Sequence, residues 1–274
     1  MMRRLPVNLI LGGALVAVMT AVALISLVWT PHDYTALDIS AKFAAPSATH
    51  PLGTDQLGRD VVSMLMAATV NSLTVAFVAV GIGGSIGTAL GLAASAYGGW
   101  AEAVVMRLVD LGFAFPAILF AIMLAAAFGP SLSIAILAIA FINVPIFARV
   151  ARGAANQIWT RDYVLAGQAA GLGRARLTFD HILPNIAAPL IVQATIEFAV
   201  AILAEAALSY LGLGAQPPMP SLGRMLAEAQ TLMYLAPQLS IYPGLCIIAA
   251  VLGFGLLGDG LRDVTDPRLT KART

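Results

Sequence analysis

One cysteine in 274 residues rules out a disulfide framework and a cysteine-based metal centre. That residue, Cys246, sits in an apolar run and reads as a small packing side chain. Charge is scarce too, with 11% of residues ionic and a net charge of +1, so the balance gives no sign of nucleic-acid binding. No G-x-x-x-x-G-K-[ST] loop occurs, so the chain does not bind ATP in the usual way. His32, His50 and His181 are scattered, and neither H-E-x-x-H nor a recognisable Ser/His/Asp arrangement is present. The reading is therefore a non-enzyme, with no catalytic residues, no metal site and no cofactor of its own.

What is abundant is apolar side chain, at 59% of the chain against about 45–50% in ordinary soluble domains. A soluble fold of this length has too little interior for that surface, so lipid must solvate much of it. A helix crosses the hydrocarbon core with about 20 mostly apolar residues. Residues 7–29 form one such run, too long for a signal-peptide core and lacking a small-residue cleavage site before Pro31, so it reads as a retained helix. The uncharged stretch from Val61 to Ala101 fits one long helix at about 71–97 with an interfacial lead-in. Between Asp110 and Arg149, FGPS at 128–131 punctuates a turn between helices at about 105–127 and 132–150. Two more runs, at about 187–211 and 238–258, bring the expected number to six.

Orientation follows from Lys and Arg. With a cytoplasmic N-terminus, Arg3, Arg4, Arg107, Arg149, Arg152, Arg161, Arg174, Arg176, Arg262, Arg268, Lys271 and Arg273 lie inside, and only Lys42, Arg59 and Arg224 outside. The opposite orientation reverses that 12-to-3 ratio. The expected layout is a single all-α membrane domain with both termini inside. Residues 1–70 supply the first helix and an external segment. A five-helix core spans 71–260, with a cytoplasmic loop at 151–186, and a tail covers 261–274. The external segments, about 30–70 and 212–237, are rich in Pro, Gly and short polar residues.

Small residues recur every fourth position at Gly83, Gly87, Gly91, Ser95 and Gly99, a groove that lets another helix approach closely. The pattern does not say whether that helix belongs to this chain. Pro116 and Pro145 fall inside expected helices, with Asn143 close to the second. Glu197 and Glu205 fall in the fifth helix, where a carboxylate is costly enough to raise a functional question. They and Asn143 are candidates for a translocation path. The alternatives are that Glu205 meets water near the outer end and that Glu197 pairs with a polar neighbour. Arg107 and Asp110 are spaced for a local ion pair, and Asp259 follows the sixth helix at the inner interface.

The polar island between the fourth and fifth helices reads RVARGAANQIWTRDYVLAGQAAGLGRARLTFDHILPNIAAP. Thr160 or Asp162 can cap a short helix from about Tyr163, and Gly171 and Gly173 should end it. A second helical piece from Arg174 to Leu183 then stops at Pro184. Val164, Leu165, Leu172 and Leu177 are too few for a core of their own, so the elbow should dock on another protein. The bland alternative is a basic loop that only sets topology.

DYVLAGQAAGLGRARLTFDHILPN (162–185) resembles the cytoplasmic "EAA" loop of ABC-importer permeases. That pattern runs E-A-A, three residues, G, nine residues, an apolar residue, one more, then L-P. Gly171 matches the Gly, Ala166 an Ala, and Leu183-Pro184 the L-P. The chain departs at Leu165 for Glu, Gly167 for the second Ala, and His181 for the apolar residue. HPLGTDQLGRD (50–60), AEAALSYLGLGAQPPMPSLGRML (204–226) and GDGLRDVTDPRL (258–269) resemble the dipeptide/oligopeptide/nickel permease family, in particular its C-type subunit.

The resemblance implies a type I importer transmembrane domain for short peptides, with nickel or a nickel chelate as the alternative cargo. A stand-alone secondary transporter or channel is the reading from another class. The implied partners are a homologous permease, two ATPase subunits carrying ATP and Mg, an external substrate-binding protein and membrane lipid. It makes the island a coupling element contacting the ATPase through Ala166, Gly167, Ala170, Gly171, Leu172, Arg174, Arg176 and Leu177. Asp162, Tyr163, Asp180, His181, Pro184 and Asn185 would support it. In the external segment, Thr54 or Asp55 should cap a turn and Asp60 the helix into the membrane.

Overall fold

The computed structural model describes residues 6–265. Arg3, Arg4, Arg268, Lys271, Arg273 and the last residues of the 258–269 stretch lie outside them. Among the described residues the chain is helical, with no β structure beyond one bridge between Thr54 and Asp60. Five helices are long and apolar enough to cross a membrane, or six if the bent pair Gly99–Ala114 and Ala117–Phe128 counts as one span.

Helix α1 (Val7–Ser26) starts directly after Pro6, whose missing amide costs nothing there. Helix α2 (Val61–Tyr97) runs unbroken for 37 residues, about 55 Å, so the lead-in and the span are one rod. Neither Gly nor Pro interrupts it before Gly81, and the Asp60 side chain caps its first turn by accepting from the Ser63 amide. The boundary placed at residue 70 falls inside this rod. Gly98 and Gly99, at φ +64° and +53°, then reverse the chain in a conformation that disfavours any β-carbon.

Helices α3 (Gly99–Ala114) and α4 (Ala117–Phe128) replace the single span expected at 105–127 and meet at 81°. The cause is Pro116, whose ring pushes Phe115 into extended backbone (ψ 122°), so this proline breaks the helix rather than kinking it. Pro145 lies inside α5 (Leu132–Trp159) as expected, packed against Gly112 of α3. The elbow follows as α6 (Asp162–Ala169), α7 (Arg174–Leu177) and a π turn (Thr178–Ile182). Helix α8 (Leu183–Tyr210) continues from that turn without a stop at Pro184. A short α9 (Leu222–Ala229) and α10 (Gln238–Thr265) complete the chain. Helix α10 outruns the expected 238–258, so Asp259 is an exposed residue of the helix rather than one beyond it.

The glycine stripe finds its partner within the chain. A methyl group on Gly83, Gly87 or Gly91 would overlap the carbonyl oxygens of Ala140, Val144 and Ala148 in turn. Residue numbers rise together along that seam, so α2 and α5 run parallel, with α3–α4 as the return. Ser95 continues the seam through its hydroxyl, 2.5 Å from Asn156 Oδ1, but Gly99 lies beyond it and meets nothing. Helices α1 and α10 cross antiparallel and just as closely, with Gly260 against Leu9 and Gly12 against Leu257. Large side chains facing outward, such as Val18, Phe77, Leu137, Leu203 and Ile248, fit a lipid-facing surface.

Candidate functional site

Two polar assemblies sit at opposite ends of α2. At its C-terminal end is the elbow. Helix α6 has no side-chain cap. Arg161 holds the N-cap position, the Thr160 hydroxyl donates backward to Gln157 O at 3.1 Å, and Asp162 stands in the first turn, where the helix dipole favours it. The helix ends as expected. Gly171 is at φ +81°, Leu172 N–H donates to Gly167 O, and Gly171 N–H donates to Gln168 O, which together form a Schellman stop. The π turn then carries the chain into α8, and Pro184 sits in that helix's first turn, where it needs no amide bond.

The elbow is seated on its own chain more deeply than composition suggested. Val164, Leu177 and Ile182 are fully buried, and Val164 and Ile182 pack with Leu92 of α2, Ala151 and Ala155 of α5, and Ile186. This corrects Leu177, which is turned inward and offers nothing to a partner. Gly167 is half-buried, and a methyl there would press on Leu172 and Leu177, so the small residue lets the elbow close on itself. Arg174 Nη1 donates to Tyr97 O at 3.2 Å, placing a cation at the negative end of α2. Arg176 bonds Asp180 at 3.3 Å, and both are exposed. Asn185 Nδ2 donates to His181 O at 2.6 Å, and the Tyr163 and His181 rings meet edge-on.

The exposed surface of the elbow is formed by Tyr163, Leu165, Ala166, Ala169, Ala170, Gly171 and Phe179, with Leu172 half-buried. Phe179, 67% exposed, was missed by sequence reasoning. The available signal was an aromatic ring alone among Thr178, Asp180 and His181.

At the other end of α2 the segment between α1 and α2 meets the one between α8 and α10. Asp55 accepts from the amides of Leu57 and Arg59 and pairs with the Arg59 guanidinium at 2.6 Å. Arg59 reaches on to Glu228 of α9 at 3.0 Å, and Glu228 also takes Arg224 at 2.8 Å. Thr54 bonds the Ala44 amide and the Ala41 carbonyl, so it pins the segment instead of capping a turn. Asp60 is buried. Burial pushes its carboxyl up, but the Ser63 hydroxyl and amide, His50 and the charge of His32 outweigh that, and the group is held below the usual carboxylate range.

The three path candidates do not come together. Glu205 is fully buried, contrary to the water access expected for it. It accepts 2.6 Å bonds from the hydroxyls of Ser72 in α2 and Ser209 in α8. Glu197 is buried against Gln193 of its own helix, at 2.8 Å. Asn143 donates to Ile139 O beside Gly83, and its own oxygen has no partner. Asp110 is also corrected. It bonds Arg149 of α5 at 2.7 Å instead of Arg107, and that guanidinium lies over the Phe113 ring.

A lipid-facing helical bundle with a seated polar elbow defines a polytopic membrane protein. The model of the binding-protein-dependent transport system inner membrane component family matches residues 81–271, and the chain belongs to that family. It is 42% identical over 260 residues to the dipeptide transport system permease protein DppC of Alkalihalophilus pseudofirmus, covering 95% of this chain and 86% of that one. It is 40% identical over 259 residues to the glutathione transport system permease protein GsiD of Pectobacterium atrosepticum, covering 94% and 86%. Among solved structures, a chain of the inward-facing MetNI methionine ABC transporter shares the fold, at a TM-score of 0.62 and 21% identity. The match covers 74% of this chain and 97% of that one.

Proposed function

We propose that this chain is a permease subunit of an ATP-driven importer of short peptides in the bacterial cytoplasmic membrane. The carrying observation is that relatives covering nearly all of it are named for dipeptide and glutathione transport, both short peptides. The same names disfavour nickel as the cargo. On this reading both termini and the elbow are cytoplasmic. A homologous permease completes the path, two separate ATPase subunits bind ATP and Mg, and an external binding protein delivers the peptide.

The elbow is the coupling element. Leu165, Ala166, Ala169, Ala170, Gly171 and Phe179 form its docking surface, and Arg176 lies at the rim. Its burial against Leu92, Ala151 and Ala155 supports rigid coupling, because an ATPase that moves the elbow must move α2 and α5 with it. Arg174 through Tyr210 is a continuous helical rod of 37 residues, about 55 Å long. A push at one end therefore tilts the whole rod, and Glu205 ties its far end to α2 through Ser72.

The test is uptake of labelled dipeptide and of labelled nickel in cells lacking this chain, with and without energy depletion. Loss of energy-dependent peptide uptake alone is expected, and loss of nickel uptake alone overturns the peptide assignment. Gly171→Asp tests the coupling surface. Nothing lies within 4 Å of a β-carbon built there, so the strained φ costs about 1–2 kcal/mol and the chain should still reach the membrane. Co-purification of the ATPase should fail, and transport that survives the change refutes the assignment.

A further inference from the structure

We propose that His32, His50 and Asp60 form a divalent-metal site suited to Zn2+, at the end of the bundle opposite the elbow. The proposal does not depend on what the importer carries.

His32 lies 18 residues before His50 and 28 before Asp60, yet the fold puts one ligand atom from each within 4.8 Å of the others. His50 Nδ1 stands 3.0 Å from Asp60 Oδ1, and His32 Nδ1 stands 3.9 Å from Asp60 Oδ2. The second distance is too long for a hydrogen bond. Two imidazoles with ring centroids 4.5 Å apart thus border one carboxylate that only His50 engages.

Zinc bonds to His nitrogen and carboxylate oxygen at about 2.0–2.2 Å in tetrahedral sites, which separates donor atoms by roughly 3.3 Å. The His50–Asp60 edge is already close to that length, and the cluster closes if the His32 ring swings by about 1.5 Å. That ring is free to do so, being 41% exposed. Its backbone is fixed, because the His32 amide donates to Ser63 Oγ at 3.0 Å.

Asp60 is prepared as a monodentate ligand. Its Oδ2 is occupied by the Ser63 amide at 2.8 Å and the Ser63 hydroxyl at 2.7 Å, leaving Oδ1 for the ion. On binding, the metal takes the place of the proton that His50 and Asp60 share, and water completes the coordination. Two imidazoles and one carboxylate are a borderline donor set, which favours Zn2+ over Mg2+ or Ca2+. The ion would clip the chain leaving α1 to the capping residue of α2, closing the loop from 32 to 60.

The experiment uses the untagged full-length chain in lipid nanodiscs, stripped with EDTA and reloaded with Zn2+. Bound metal is counted by mass spectrometry, and Co2+ substitution reads ligand geometry from its visible absorption. One Zn2+ per chain is expected, with affinity at least tenfold weaker in His32→Gln and in His50→Gln and unchanged in His181→Gln. His32→Gln keeps the His50–Asp60 bond, so its metal-free unfolding temperature should match wild type, whereas Zn2+ should raise that temperature only in wild type. Zinc retention by the His32→Gln/His50→Gln double variant equal to wild type overturns the proposal, as does the absence of stoichiometric binding by wild type.

Discussion

Replacing Gly87 with Ala adds one methyl group to the seam between α2 and α5. Built on this backbone, that carbon overlaps Val144 O and stands 2.8 Å from Phe147 Cβ and 3.0 Å from Ala148 N. Unstrained heavy-atom contacts lie at about 3.5–4.0 Å, so the two helices must part by roughly 1 Å over the buried centre of the bundle. Overpacking of that size costs about 1–3 kcal/mol. Gly81→Ala is the matched control, because it lies six residues earlier in the same helix with nothing within 4 Å. Both substitutions gain the same helix-propensity term of about 0.5–1 kcal/mol, which cancels in the comparison. Gly87→Ala should therefore be less stable than Gly81→Ala by about 1–3 kcal/mol, with Gly81→Ala at or above wild type. Reversible unfolding in mixed micelles, followed by circular dichroism, measures the difference. Equal stability of the two variants refutes the reading of the glycine stripe as an intrachain contact.

Three further substitutions, at two positions, probe polar pairs between helices. Glu205→Leu removes the acceptor of two buried hydroxyls, Ser72 and Ser209, and should lower stability by about 1–3 kcal/mol per hydroxyl left unpaired; Glu205→Gln keeps one acceptor and should cost less, as thermal unfolding will rank. Asp110→Asn breaks an ion pair whose two side chains are about half exposed, so the same assay should register less than about 1 kcal/mol.

The elbow was largely legible in sequence because its signals are local. Gly171 stops a helix wherever the chain goes next, and a polar stretch between two apolar runs must leave the membrane core. Which side of the elbow faces outward was not legible. Leu172 and Leu177 look alike in sequence, yet Leu177 is fully buried and Leu172 only half-buried, whereas Phe179, two residues beyond Leu177, is exposed. Residues two apart on a helix point to opposite sides, so one of the pair must face outward, but which side is covered is set by how the elbow packs on the rest of the chain. Pro116 was misread for a related reason. A proline in an apolar run either kinks or breaks a helix, and the packing of the two arms decides which.

Sequence by itself determined that the chain is helical and lipid-facing, and where its polar elbow lies. Those properties follow from hydrophobic run length, charge asymmetry and glycine placement, each of which acts within a few residues. Only the tertiary structure decided that the glycine stripe meets α5 of the same chain, that Asp110 pairs with Arg149, and that His32 and His50 converge on Asp60. Each of these joins groups ten to sixty residues apart, and partners at that range are selected by how the rods pack against one another.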